Sequence, residues 1–421
     1  MVKHLTLALA LLSLYGCQQG FIPQSDKGSE AVSYGPGAEL PEHVRPNDAT
    51  ISLYQDRRLA FIEKRRFWGR LYTVEPAGNA VPFKTAPNVE SETLTHALSE
   101  GYLFSYLYYD DGVVRYDGKA AKGRFNKDVK DDMLFYTHST GKSITSYILG
   151  HAVCEGYISS MDEVVNWPMM SKTLYQGQPL RNLLNMNAGD RHTTNKSANR
   201  VMGSEIHHRD MGLNKIASLL EGTQKRGNAV HYNNVLADII ANYIAYKAGD
   251  NYDDLIRMVF QEKVKIAHPV SYEKHANSDV KGELSKYFGR PETLASYSYF
   301  MTRYDFLRIA KAMMEDFQSN TCVGQYLRES QEQAKRWPKY GPRWKKAHLW
   351  LHNYAKKYGS QFYFDFHGMR GRNIMGTEGY NGQNMLIDLD NSRIVVTNSA
   401  ATAWDVRVFM LDVIRQGKLP N

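Results

Sequence analysis

The apolar positions of this chain change period along its length, and the changes outline its organisation. Residues 5–14 form an apolar run behind a short basic head at Lys3 and His4. A run of that length suits a signal peptide and is too short to span a bilayer. From residue 18 to about 48 the chain turns to Gln, Gly, Ser, Pro and charge, the composition of a flexible tether. Residues 53–68 mix basic and apolar positions and predict a helix stopped by Gly69. Residues 91–99 carry helical spacing at Leu94, Ala97 and Leu98. Two strand-like runs, 103–109 and 113–117, flank Asp110-Asp111-Gly112 and predict a hairpin.

The next helix is predicted from about Ser139 to Glu155, with Ile144, Tyr147, Ile148 and His151 at helical spacing and Gly156 as its stop. His151 is expected to be a packed or capping residue. Residues 179–186 predict a short helix closed by Asn187-Ala188-Gly189. Residues 211–220 and 235–247 are helical, the second with Leu236, Ile239, Ile240, Tyr243 and Ile244 on one face. The helix at 302–317 opens with Thr302 three residues before Asp305, a capping-box variant. After about Ala347 the period shortens. Residues 362–366, 384–388 and 393–398 read as strands, with Leu389-Asp390-Asn391-Ser392 as a turn, and 403–415 as a closing helix ended by Gly417. Strands near both ends with helices between them predict an α+β fold. One antiparallel sheet is flanked by helices, with a helical subdomain inserted at roughly 157–300. The expected order is signal peptide 1–16, tether 17–50 and one domain over 51–421.

Composition narrows the class. At 421 residues the chain can bury a large core, and 43% hydrophobic with 23% charged residues is ordinary for a globular protein. The formal charge of +8 is scattered, with no basic stripe interleaved with aromatics, which excludes nucleic-acid binding. The apolar run ends in Leu14-Tyr15-Gly16-Cys17, which resembles a bacterial lipobox. The expectation is an exported protein of the cell envelope, cut before Cys17 and held at the membrane by a lipid on it. The alternative is a soluble secreted protein in which Cys17 is incidental. Cys154 and Cys322 are the only other cysteines and form no disulfide framework. Cys154 falls on the apolar side of the Ser139 helix and is expected to be a buried free thiol. His207-His208 after Glu205 match no helical zinc spacing and read as a solvated loop. No metal or cofactor is called for.

The chemistry concentrates in three stretches. In the first, Ser139 and Lys142 stand three apart at a predicted helix start, so they share a face. Unpaired N–H groups of the first turn favour negative charge there, and a desolvated lysine can take the serine proton. Gly141-Lys142-Ser143 also ends a phosphate-binding loop, but that motif needs a glycine where Tyr136 stands. Ser143, Thr145 and Ser146 are rival nucleophiles, yet only Ser139 has a lysine three positions later at the helix start. The second stretch is Val230-His231-Tyr232-Asn233-Asn234, before the long apolar helix. Tyr232 can place its phenolate against Ser139 if a neighbouring lysine lowers its pKa, sharing the base role with Lys142, and Asn234 can donate to Lys142 or to a substrate. The third is Gly379-Tyr380-Asn381-Gly382-Gln383, where glycines let a substrate lie along a strand edge whose N–H groups can hold an oxyanion.

With these stretches in this order, the chain from about 94 to 414 resembles the serine β-lactamase and DD-peptidase superfamily. It is most similar to the class C-like, 6-aminohexanoate-dimer-hydrolase-type branch. The resemblance extends to Glu155-Gly156-Tyr157-Ile158 and to residues 180–189, which end in Ala188-Gly189. It implies that Ser139 is the acylated nucleophile, Lys142 the motif lysine, and Tyr232 with Asn234 the Tyr-x-Asn element. It implies an oxyanion hole from the Ser139 amide and the strand beginning near Gln383. The third motif departs from the pattern. Better-known members carry Lys-Thr-Gly or His-x-Gly where this chain has Tyr380-Asn381-Gly382. The missing cation, which elsewhere binds a substrate carboxylate, leaves uncharged amides or esters as the expected small-molecule substrates. Arg370 and Arg372 are candidates to replace it in space. The same departure motivates the alternative, a non-catalytic binding or scaffolding protein of the envelope.

Overall fold

The computed structural model describes residues 69–86, 89–124, 128–194, 211–283, 289–296, 299–341 and 347–421. The signal segment, Cys17, the tether, the helix at 53–68 and the Glu205-His207-His208 group lie outside the described residues.

The hairpin read at residues 103–117 forms as predicted and anchors the larger of two sheets. Two short strands come first, β1 (Gly69–Val74) and β2 (Lys84–Thr85), followed by helix α1 (Glu92–Ser99). The hairpin is β3 (Leu103–Asp110) with β4 (Val113–Lys119), turning through Asp111 and Gly112 at φ 43° and 84°. Strand β5 (Leu134–Tyr136) then leads into helix α2 (Thr140–Cys154). The middle of the chain supplies α3 (Leu180–Leu184), α4 (Leu213–Leu219), α5 (Asn234–Ala248) and α6 (Tyr252–Arg257). Strands β6 (Val270–Val280), β7 (Arg290–Thr293) and β8 (Tyr299–Thr302) follow, then α7 (Arg303–Gln318) and α8 (Cys322–Glu332). The last third is β9 (Lys335–Arg336), β10 (Ala355–Gly359), β11 (Phe362–Phe366), β12 (Ile374–Gly379), β13 (Gln383–Asp388), β14 (Arg393–Ser399) and α9 (Asp412–Gln416).

Among the described residues the larger sheet has nine strands in the order β2-β4-β3-β14-β13-β12-β11-β10-β9. Val395 of β14 lies opposite Tyr108 of β3, so both ends of the chain close one sheet, as the pattern predicts. A second sheet runs β1-β6-β8-β5, with β7 beside β6. Its strands β6 to β8 fall inside and just beyond the segment read as a helical insertion. The sequence conceals β6 because both of its faces are covered. Polar Ser271, Glu273, Lys274 and His275 are buried along with Tyr272, so no apolar alternation appears.

Helix α2 is buried along all of Thr140–Ala152, which explains its polar-rich yet central sequence. Helix α7 is capped as predicted: the Asp305 N–H donates to Thr302 Oγ1 at 3.2 Å. His151 is 2% exposed and packs edge-on against Tyr147, and burial lowers its pKa to about 4.

The expected free thiol at Cys154 is corrected by the structure. Cys154, at the end of α2, is bonded to Cys322 at the start of α8, with Cα atoms 5.8 Å apart. Sequence spacing does not reveal the pair, because 168 residues separate the cysteines and only tertiary packing joins them. A cross-link closing so long a loop contributes on the order of 2–5 kcal/mol. Cys154→Ser is therefore expected to lower the thermal midpoint by several degrees while α2 keeps its first turn. Calorimetry with and without reductant checks this; an unchanged midpoint would remove the bond from the account.

Candidate active site

Ser139 lies where two sheets and two helices converge. It precedes α2 as its N-cap, with φ −64° and ψ −12°, and its side chain makes no capping bond. His138, just before it, takes a left-handed φ of 48°, a conformation of about 1–3 kcal/mol that non-glycine residues adopt where surroundings enforce it. The His138 ring packs against Tyr136 at 4.5 Å and edge-on to Tyr380 at 5.6 Å. Among the described residues no hydrogen bond is made to the Ser139 N–H, which stays available to an oxyanion.

Two glycines allow this convergence. A Cβ on Gly141 would meet the Tyr299 ring at 3.0 Å and Ala295 O at 3.2 Å, so glycine lets Ala295 and Tyr299 reach α2. A Cβ on Gly379 would stand 2.3 Å from Thr137 O, so only glycine lets the end of β12 meet the turn that leads into Ser139. Thr140 Oγ1 ties the turn to the large sheet by donating to Gln383 O at 2.6 Å, and it lies 3.3 Å from Thr377 Oγ1.

Lys142 Nζ lies 3.0 Å from Ser139 Oγ and donates to Ser296 O at 2.6 Å. It is 1% exposed, and burial lowers its pKa to about 7 against a smaller opposing pull from Asp238. That carboxylate acts at one remove. Asp238 Oδ1 accepts the N–H groups of Ala295 and Ser296 at 2.8 and 2.9 Å, which holds the carbonyl that orients Lys142. Neutral Lys142 can keep the bond to Ser296 and present its lone pair to the serine proton.

Tyr232 completes the group. Its ring lies 5.0 Å from Lys142 Nζ, and Ser139 stands near enough to act on the phenol's proton affinity. Burial pushes the phenol above its ordinary pKa, with Ser139 opposing. The expected phenolate is therefore not favoured: burial keeps the phenol protonated at neutral pH, a proton donor, and leaves Lys142 as the available base. Around the ring stand Trp337 and Tyr358, both at 6.0 Å.

The other expected residues are placed less uniformly. Asn234 is the first helical residue of α5, and its neighbour Asn233 caps that helix, its Oδ1 accepting the Leu236 N–H at 3.3 Å. Tyr380 is 51% exposed and borders Ser139 through His138, while Asn381 is buried at φ 61°. Gly382 packs under Trp404. The Gln383 side chain is spent inside the sheet: its Nε2 donates to Ser399 O, and its Oε1 accepts from Asn398 Nδ2. The expected oxyanion strand also needs correction. β13, beginning at Gln383, is paired on both sides, by β12 and β14, so it offers no free edge. The free edge belongs to β12, whose pairing with β11 ends at Gly376 and leaves Thr377–Gly379 paired only to β13. Sequence reading missed β12 because Gly376 and Gly379 interrupt its apolar pattern.

Neither arginine replaces the missing cation. Arg372 sits at the far end of β12 from Gly379, paired with Asp388 and donating to Ile414 O at 2.9 Å. Arg370 stands in the same loop. The strand end beside the site instead carries Glu378, 7% exposed, which accepts the N–H groups of Leu351 and His352 at 3.1 and 2.9 Å. Its Oε2 is 2.7 Å from His352 Nδ1, and its charge is felt by Tyr232 and Lys339.

No protein-family model matches the chain, and no curated protein matches it. Solved structures do. A protein assigned as a 6-aminohexanoate-dimer hydrolase from Bacillus anthracis matches with a TM-score of 0.57 at 13% identity, covering 87% of this chain and 95% of that one. A D-stereospecific amidohydrolase from Streptomyces sp. matches at 0.52 and 14% identity, over 78% of this chain and all (100%) of that one. An octameric penicillin-binding protein homologue from Pyrococcus abyssi matches at 0.51 and 15% identity, over 78% and 76%. The chain therefore shares the α+β, β-lactamase/transpeptidase-like fold of these structures.

Proposed function

We propose that this chain is an exported serine hydrolase that cleaves an uncharged amide or ester through an acyl-enzyme on Ser139. The observation that carries the reading is Lys142 Nζ at 3.0 Å from Ser139 Oγ, with a pKa near 7. Lys142 takes the hydroxyl proton as Ser139 Oγ attacks the substrate carbonyl. The Ser139 N–H and the free edge at the end of β12 hold the oxyanion. The Tyr232 phenol passes a proton to the leaving amine or alcohol and is reprotonated through Lys142. Water, activated by the same pair, then releases the acid and frees Ser139.

Glu378, held beside Tyr232, supports the uncharged class, because a carboxylate at that strand end opposes an anionic substrate. The Cys154–Cys322 bond supports export, since such bonds persist in oxidising compartments. Lipidation at Cys17 would then tether the domain to a membrane. Purified protein should turn over uncharged esters or amides at least about tenfold faster, in kcat/KM, than a penicillin bearing its carboxylate; a 1.4 kcal/mol difference suffices. A preference for the penicillin would overturn the substrate class, and absence of all turnover the hydrolase reading.

A further inference from the structure

Both chain neighbours of Tyr232 are held by a single loop. The His231 N–H donates to Met186 O at 2.7 Å, and His231 Nε2 lies 2.9 Å from Thr194 Oγ1. On the other side, Asn233 Nδ2 donates to Asp190 Oδ2 at 2.5 Å and reaches Thr194 Oγ1 at 3.3 Å. Asp190 is fully buried (0% exposed), and its Oδ2 also accepts the Tyr175 hydroxyl at 3.0 Å. Its Oδ1 has no hydrogen-bond partner among the described residues.

A half-satisfied buried carboxylate is a poor way to stabilise a fold, because desolvation of the charge outweighs two hydrogen bonds. Burial accordingly raises the Asp190 pKa to about 6. What the carboxylate does accomplish is orientation. It grips the residue that both caps α5 and follows Tyr232, and it does so with a charge-assisted bond.

We propose that Asp190 is a positioning residue: through Asn233 it fixes the Tyr232 phenol against Ser139 and Lys142. This rests on the acyl-enzyme reading of the site. No role in contacting substrate is assigned to Asp190.

The test is the rate of Ser139 phosphonylation by a fluorophosphonate probe, followed by intact mass and resolved into maximal rate and half-saturation. Asp190→Ala is expected to lower the maximal rate about 10- to 100-fold with half-saturation within twofold. Asp190→Asn, which keeps an acceptor for Asn233, should recover at least about tenfold of that loss. Asn233→Ser keeps a helix cap, but its hydroxyl is one atom shorter than the amide nitrogen that reaches Asp190, so it should match Asp190→Ala even if that variant folds poorly. The deciding measurement is the combination with Tyr232→Phe. If Asp190 acts through Tyr232, the double variant is no slower than Tyr232→Phe alone. Multiplying losses in the double variants, or full rates in Asp190→Ala or Asn233→Ser, would overturn the proposal while leaving the acyl-enzyme reading intact. A wild-type protein that is never labelled would instead overturn that reading.

Discussion

Ser139→Ala is expected to lower turnover of any ester or amide substrate by about 10⁴- to 10⁶-fold, with thermal unfolding unchanged. The size follows from the absence of a stand-in. Ser143 is 2% exposed and donates to Gln361 O at 2.6 Å, so its hydroxyl is committed to the β10–β11 turn. Ser146 lies 2.8 Å from the Tyr326 hydroxyl, on the side of α2 that meets α8. Thr145 donates back to Gly141 O at 3.0 Å. Each rival hydroxyl is buried and engaged, whereas Ser139 is partly exposed and its partners are the base and the phenol. The fold should tolerate the loss, because the Ser139 side chain does not cap α2. Steady-state kinetics and calorimetry on the variant check both halves.

Lys142→Met is expected to cost about 10³-fold in acylation, within the usual range for removing a positioned base. Wild-type acylation should rise with unit slope as pH passes through about 7, and the variant should lose that limb. The substitution should act on stability in the opposite sense to its effect on activity. The folded-state lysine titrates near 7, below its ordinary value of 10.5, so between those values the folded protein binds fewer protons than the unfolded chain. Stability therefore rises with pH across that window, and the burial cost is greatest below it. Methionine removes the cost, so the variant should be more stable than wild type at pH 6, by about 1–3 kcal/mol. Denaturant unfolding at pH 6 and 9 measures the sign. A variant that is less stable at both values would mean Lys142 is a structural cation.

Much of this arrangement was legible in the residues. The Ser139–Lys142 spacing, the hairpin at Asp111-Gly112, the cap at Thr302 and the long apolar face of α5 are local features, fixed by period and turn chemistry. What stayed hidden depends on distant partners. Asp238 reads as an ordinary polar position of α5, and only packing brings it to Ser296 and so to Lys142. Asp190 follows a helix-closing glycine like any loop acid, and its link to Asn233 spans 43 residues. The disulfide and the second sheet share that origin. The strand at the site was misassigned by one position in the sheet, from β12 to β13, because the glycines that bring β12 to Thr137 also erase its strand pattern.

The central claim is that Ser139 is an activated nucleophile. Intact mass after fluorophosphonate treatment, with peptide mapping, tests it most directly. The account predicts one adduct, on the peptide containing Ser139, absent in Ser139→Ala and slowed in Lys142→Met. A folded protein that takes no adduct, or takes it equally in Ser139→Ala, would contradict it.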